Sequence, residues 1–371
     1  MKDVIEDIYV VASRREKILS SYPYYRSLGG LKEHWYPISF VRSLRPFRPV
    51  RDHVLGVPLY VHRDDKSEYK VFLDVCPHRQ APLTCGHSEK EGIRCPYHGW
   101  RFDWQGHCVE IPSSPEEKKT PQLHLLPFES QCVDGMLWVW MGRKETKGAP
   151  PRCIEGKDEQ AGWKTIQREY VMKANVEDIV ENFMDSPHTG IVHKGLIRGH
   201  HAPEKRRVHV SVDGEQLFVE HEPIHEDVGL FGRLIRRPDE KTQHRDTFLM
   251  PTHVRVEYWF GKQDVSFFAF IAMTPNAEDE TKIMLTLGLR FGWMLNQMGS
   301  LILPYFMDKV VSQDDEILSL QRDNVSLVDE RHVASISSDV MDLQMRRMRK
   351  MCRDCVDASG HSYSKTLDIY L

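Results

Sequence analysis

Four residues in the first third of the chain combine types and spacing suited to metal chemistry. Cys76-Pro-His78 is followed, after sixteen residues, by Cys95-Pro-Tyr-His98. Two thiolates and two imidazoles in this order suit a [2Fe–2S] cluster in which one iron takes both thiolates and the other both imidazoles, which raises the reduction potential above that of an all-thiolate cluster. Each hook then gives one ligand to each iron, and the cluster is expected to be clamped between two loop tips. Given the chain's eight cysteines and nineteen histidines, this spacing arises by chance about 4 × 10⁻⁴ times. Zinc also accepts two cysteines and two histidines, but the usual finger keeps each type together; here they alternate. Pro77, Pro96, Gly99 and Gly106 are the residues that tight loops use for a close backbone approach to sulfides.

The segments CPHRQAPLTCG, CPYHGWRFDWQGHCVEIPS and DGMLWVW, in that order, resemble the Rieske non-heme iron oxygenases, specifically the alpha subunit of the terminal oxygenase component. One residue departs from that pattern: Gln80 stands where the family usually has glycine. It lies outside the ligand set and so bears on loop geometry, not on cluster type.

A cluster of this kind only moves an electron, so an enzyme needs a second centre, and the candidate lies in NVEDIVENFMDSPHTGIVHKG. Val176, Ile179, Val180, Phe183 and Met184 recur at helical spacing, Asn175 can cap the start, and Pro187 forces an end just after Asp185. Asp185-x-x-His188-x4-His193 arises by chance about 0.07 times, so it carries weight through its position downstream of the first motif. Two histidines and one carboxylate on one face hold non-heme Fe(II) and leave positions open for O₂ and substrate. The carboxylate must come from elsewhere. Met307, Val311, Leu318 and Gln321 trace an apolar stripe on a C-terminal helix, and Asp314 falls on it. A carboxylate there is costly unless paired or metal-bound. Asp315 is the alternative, on a polar face with Asp308, Ser312, Ser319 and Arg322. The resemblance further implies that Asp185 bridges His188 to a cluster histidine of a neighbouring subunit. The family often has asparagine at the position of Glu181, for which solvent exposure and function are equally open.

These motifs need a scaffold, and the chain has the material for one. Its 371 residues, formal charge of −4 and 40% hydrophobic content describe an ordinary globular protein of two or three domains, not a disordered, coiled-coil or collagen-like chain. Near-neutral charge argues against nucleic acid as a partner. The N-terminus is too acidic for a signal peptide, and no stretch reaches the ~20 apolar residues that span a bilayer. The expected location is cytoplasmic, with no membrane partner. Residues 1–33 read as a helical leader, 34–145 as an all-β cluster domain, 146–162 as a charged, Pro/Gly-rich linker, and 163–371 as a catalytic domain. The expected fold class is α+β, the second domain having a central antiparallel sheet with flanking helices, helix-grip-like, and a helix over about 297–323.

Other chemistry-bearing residues read as background. Cys85, Cys108, Cys132 and Cys153 have no partner pattern, and Cys352-x-x-Cys355 has no second hook. The basic run around Cys352 reads as a solvated helix face, with docking of an acidic electron donor as the lesser alternative. The segments GHHAPEKRR, with His200 and His201, and RRPDEKTQHRD read as solvated loops, and the other scattered histidines form no defensible spacing. The resemblance implies a homotrimer that activates O₂ to hydroxylate, demethylate or dihydroxylate an apolar organic molecule, monooxygenation or demethylation being favoured over dioxygenation. A separate ferredoxin and/or flavin reductase would feed it with electrons from NAD(P)H. The rival is a non-catalytic Rieske electron carrier or redox sensor.

Overall fold

The computed structural model describes residues 14–116, 123–143, 148–153, 162–194, 196, 204–224, 241–260, 266–328, 334–356 and 361–370. Residues 1–13 of the expected leader, most of the charged linker, His200, His201 and part of both expected loops lie outside the described residues. The chain divides into two units, one of residues 1–151 with 274–278 and one of 152–273 with 279–371.

The first unit is built from short strands because its apolar residues alternate in runs of three to seven between turn formers. Strands β1 (Trp35–Phe40), β11 (Met136–Trp140) and β10 (Ser130–Val133) form one sheet in that order. A second has the order β2 (Val50–Val54), β3 (Val57–Arg63), β4 (Tyr69–Leu73) and β9 (Pro127–Phe128). A third comprises β5 (His87–Glu89), β6 (Gly92–Arg94), β7 (Arg101–Phe102) and β8 (Cys108–Glu110). Beneath the two hooks lies a core that includes Tyr60, Phe72, Leu83, Ile93, Phe102 and Ile111. Helix α1 (Pro23–Ser27) contributes the buried Tyr25, whose hydroxyl donates to the Met141 carbonyl at 2.9 Å.

The second unit is an eight-stranded sheet of β12 (Lys164–Met172), β18 (Glu280–Leu289), β17 (Phe267–Ala277), β16 (His253–Phe260), β15 (Thr242–Leu249), β14 (Gln216–Ile224), β13 (Lys205–Asp213) and β19 (Tyr363–Tyr370), in that spatial order. The α+β class with a central antiparallel sheet is the one expected. Helix α2 (Val176–Met184) starts as read: the Asn175 side chain accepts from the Glu177 amide at 2.8 Å. Helix α3 (Trp293–Val325) is longer at both ends than its apolar pattern indicates, and Gln321, placed on the apolar stripe by spacing, is exposed. Helix α4 (Val340–Arg353) packs against α2.

Register fixes which face of the sheet meets the helices. Tyr170 donates its hydroxyl to Asp308 of α3 at 2.7 Å and pairs with Ile283 across the β12–β18 ladder, so odd-numbered residues of β18 face α3. Gly288 therefore faces away, and its missing Cβ is filled by the Phe268 ring, which puts Phe267 on the α3 side. From Phe267 the pairing runs to Tyr258, then His244, then His221. Helix α2 packs against α3 and against β15 and β16, on the same side.

Candidate iron sites

In the first unit, the two hooks adopt the same backbone shape. The Cys76 amide donates to the Ala81 carbonyl at 2.9 Å, and the Cys95 amide donates to the Trp100 carbonyl at 2.8 Å. The residue four after each cysteine has positive φ: 59° for Gln80 and 70° for Gly99. The glycine expected at position 80 is thus the residue the loop geometry asks for, and Gln80 adopts that geometry without being one. Between the hooks, buried Asp74 accepts from the Thr84 amide at 2.9 Å and its hydroxyl at 2.7 Å, and pairs with Arg51 at 3.1 Å.

Both hook thiols are buried, while His78 is half-buried and His98 exposed. Burial pushes the Cys76 thiol up to about 12, and the neighbouring Cys95 adds to the shift. The imidazoles of His78 and His98 meet edge to face at 4.6 Å, and His78 stacks on Trp100 at 4.4 Å. Thiols gathered at a dry end and imidazoles at a wet end are the donor set that a mixed-ligand [2Fe–2S] cluster needs.

In the second unit, His188, His193 and Asp314 each offer a ligand atom, and these atoms lie within 4.8 Å of one another. His188 comes from the 3₁₀ turn Pro187–Gly190 that follows α2, where Pro187 prevents continuation of the helix. Asp314 comes from the buried stripe of α3, between Met307, Val311 and Leu318, and is 1% exposed, whereas Asp315 is only half-buried. Asp314 Oδ1 lies 3.0 Å from His193 Nε2 and 3.6 Å from His188 Nε2. The imidazoles stand at 75° to each other with centroids 5.2 Å apart, so their Nε2 atoms converge.

The outer nitrogens of both rings are occupied. His188 Nδ1 donates to the main-chain carbonyl of Asp185, and His193 Nδ1 lies 3.0 Å from Gln313 Oε1. A carbonyl oxygen can only accept, so each Nδ1 carries a proton and each Nε2 points a lone pair toward Asp314. Asp314 Oδ1 is buried and accepts no regular hydrogen bond among the described residues. Facing lone pairs require a positive charge between them. Without metal a proton supplies it: burial opposes the His188 charge, but the carboxylates of Asp185 and Asp314, which accept from the charged ring, prevail and raise it to about 9. Burial likewise opposes the Asp314 charge, and His188, His193 and Asn182 outweigh it, holding the carboxyl down to about 2. A divalent cation that displaces this proton fits the donor set.

The Asp185 carbonyl accepts from His188 Nδ1, while the Asp185 carboxylate stands 3.6 Å from that atom and is 40% exposed. Glu181 is not a solvated side chain: it forms a two-pronged pair with Arg346 at 2.6 and 2.5 Å. The basic C-terminal run, expected as a solvated face, is one only in part: Arg347 and Lys350 are exposed. Arg346, Arg349 and Arg353 of that run turn inward onto Glu181 and Glu177 of α2. Asp342, behind them, is pushed up to about 7 by burial and then by Glu181 and Asp185. Cys352 is half-buried and Cys355 exposed, with no second cysteine pair beside them among the described residues.

Sequence reasoning missed Asn182 and Gln313, whose spacing is visible only once both helices face the same point. It also missed a second trio, His221, His244 and Asp246, whose ligand atoms lie within 4.8 Å of one another. The sole sequence signal for it is His244-x-Asp246, an alternation that puts both side chains on one strand face.

Comparison with known proteins identifies both domains. Residues 34–126 match the Rieske [2Fe-2S] domain and residues 172–354 the vanillate O-demethylase oxygenase C-terminal domain. The chain is 31% identical over 173 residues to pheophorbide a oxygenase of Oryza sativa subsp. japonica (44% of this chain, 33% of that protein). It is 30% identical over 195 residues to the 5,5'-dehydrodivanillate O-demethylase oxygenase subunit of a Sphingobium species (49% and 44%). The chain spans about a third of the length of the first curated relatives it matches. Among solved structures, dicamba monooxygenase bound to 3,6-dichlorosalicylic acid has the same fold, with a TM-score of 0.74, 20% identity, and coverage of 88% of this chain and 98% of that one. The chain belongs to the Rieske oxygenase family.

Proposed function

We propose that this chain takes electrons at the Cys76, His78, Cys95 and His98 site and uses them at the His188, His193 and Asp314 site to insert oxygen from O₂ into an organic substrate. The observation that carries the reading is the convergence of two Nε2 lone pairs and a buried carboxylate oxygen that accepts no regular hydrogen bond. Bound at these two places, a [2Fe–2S] cluster would supply one-electron transfer and an Fe(II) ion the activation of dioxygen.

The residues of the chain do the rest. Buried Cys76 and Cys95 anchor the dry side of the first site, and the accessible His78 and His98 offer the side from which electrons can pass. Asp185 orients His188 through its carbonyl and leaves its carboxylate partly exposed, placed to meet a cluster histidine of a neighbouring copy. That role calls for a head-to-tail homotrimer. The overall reaction for hydroxylation is R–H + O₂ + 2 electrons + 2 protons → R–OH + H₂O, with electrons delivered from NAD(P)H by a separate ferredoxin and/or flavin reductase. Monooxygenation or demethylation is favoured over dioxygenation, in line with the demethylase domain that residues 172–354 match. The setting is the cytoplasm, where the six cysteines outside the cluster site stay reduced. No helix among the described residues is long and apolar enough to cross a membrane.

The test is oxygen uptake by the reconstituted protein with a generic reductase against a panel of aromatic, O- or N-methylated and polycyclic compounds. At least one compound should stimulate uptake, and His188→Ala should abolish the stimulation while the cluster remains reducible. Stimulation that persists in His188→Ala would exclude the assigned site.

A further inference from the structure

We propose that His221, Asp246 and His244 form a subsite that binds the hydroxyl group of a hydroxylated aromatic substrate, an inference that rests on the oxygenase reading and adds a polar group to the substrate. The trio lies on adjacent strands: His221 of β14 is directly opposite His244 of β15, and Asp246 follows two residues on. Register places all three on the sheet face that α2 and α3 cover, the face from which His188 and Asp314 are presented.

Ring geometry separates this trio from a metal site. At the candidate iron site the imidazoles stand at 75°, and their lone pairs converge. Here the two rings are parallel within 12° and stacked at 4.2 Å, and both Nε2 atoms are already engaged by the carboxylate of Asp246. A carboxylate, with two oxygens side by side, suits them instead. Asp246 Oδ1 lies 2.7 Å from His244 Nε2, and Oδ2 lies 3.2 Å from His221 Nε2. An ionised carboxylate only accepts, so both Nε2 atoms carry protons. Burial opposes the Asp246 charge, yet the two imidazoles hold its carboxyl well below the usual range.

With Nε2 committed to Asp246, the working atom of His244 is Nδ1. His244 is 7% exposed, and its Nδ1 has no hydrogen-bond partner among the described residues. A buried lone pair left in that state is costly, and a substrate O–H would satisfy it. Carboxylate, imidazole and hydroxyl in line also let the subsite accept a proton from the bound hydroxyl. The neighbouring side chains are aromatic: Tyr258 stacks on His244 at 4.3 Å and 8°, and Phe267 meets Tyr258 edge to face at 5.9 Å, so the ring of the proposed substrate would meet an apolar neighbourhood. A substrate carboxylate is disfavoured because Asp246 already places one buried negative charge beside His244.

Equilibrium binding of 2-naphthol, naphthalene and 2-naphthoate to the anaerobic holoenzyme tests the inference. The hydroxyl compound should bind at least tenfold tighter than naphthalene. His244→Phe should erase that preference with naphthalene affinity and iron content unchanged, and His244→Gln, which keeps an acceptor, should retain part of it. Equal affinities, a preference for 2-naphthoate, a preference that survives His244→Phe, or a fourth metal per chain that disappears in His221→Ala would each overturn the inference. Binding is read without turnover, so the two readings fail separately. Three irons with no hydroxyl preference sink the subsite alone, and two irons with the preference intact sink the oxygenase alone.

Discussion

Gln313 and Asp314 are consecutive residues of α3 that hold two sides of one imidazole: Gln313 Oε1 is 3.0 Å from His193 Nδ1, and Asp314 Oδ1 is 3.0 Å from His193 Nε2. One turn of helix thus supplies a candidate ligand and the group that fixes the tautomer of another. Loss of such an orienting partner typically weakens metal binding by about 10–100-fold. Gln313→Leu should therefore weaken Fe(II) binding by about that factor in an anaerobic titration, with the cluster spectrum unchanged. Wild-type affinity in that variant would show that His193 is oriented by something else.

The proton between His188 and Asp314 makes iron binding pH-dependent. The metal-free His188 is raised to about 9, so below that pH each bound ion must displace a proton. Apparent affinity should climb by about tenfold per pH unit from 6 toward 9 and flatten above it. The same shift stabilises the metal-free fold: the contribution is complete below the unfolded value of about 6.5 and is lost as pH rises through about 9. Metal-free protein should accordingly resist urea better at pH 6 than at pH 9, as judged by the second unit's unfolding midpoint. A flat affinity profile over this range would contradict the tautomers assigned here.

Gln80 and Gly99 occupy equivalent left-handed positions in the two hooks, at φ 59° and 70°. A non-glycine residue there costs about 1–2 kcal/mol. Gln80→Gly should stabilise the first unit by about 1 kcal/mol, and Gly99→Ala should destabilise it by a similar amount, both by chemical denaturation of the loaded protein. Changes of the same sign in the two variants would break the equivalence of the hooks.

The Glu181–Arg346 pair joins α2 to α4, with Glu181 15% and Arg346 36% exposed. Allowing for solvent screening on the arginine side, a double-mutant cycle should give a coupling of about 1–3 kcal/mol, and Arg346→Ala alone should cost more than the double variant because it strands Glu181 beside Asp342. A coupling near zero would mean that α4 is held by its other contacts, among them Arg349 and Arg353 on Glu177.

How far the sequence led depended on whether a residue's neighbours were close along the chain. Both hooks, the Asn175 cap and the Pro187 stop are local, and reading them required no tertiary contact. Asp314 was legible because a carboxylate on an apolar helical stripe breaks a periodic rule. The inward turn of Arg346, Arg349 and Arg353 was not, since a basic run looks the same whether it meets water or the glutamates of a helix more than 150 residues away. His221 and His244 stayed hidden for a related reason: strand register, not spacing, brings them together. Cluster type and fold class thus came from local chemistry, and the polar side of the proposed substrate pocket came only from the sheet.

Elemental analysis of Asp314→Ala beside the wild type is the most direct test of the central claim. The wild type should hold three irons per chain, and the variant two, with the visible spectrum of the cluster intact. Three irons in Asp314→Ala, or two in a fully loaded wild type, would contradict the assignment of a mononuclear iron to His188, His193 and Asp314.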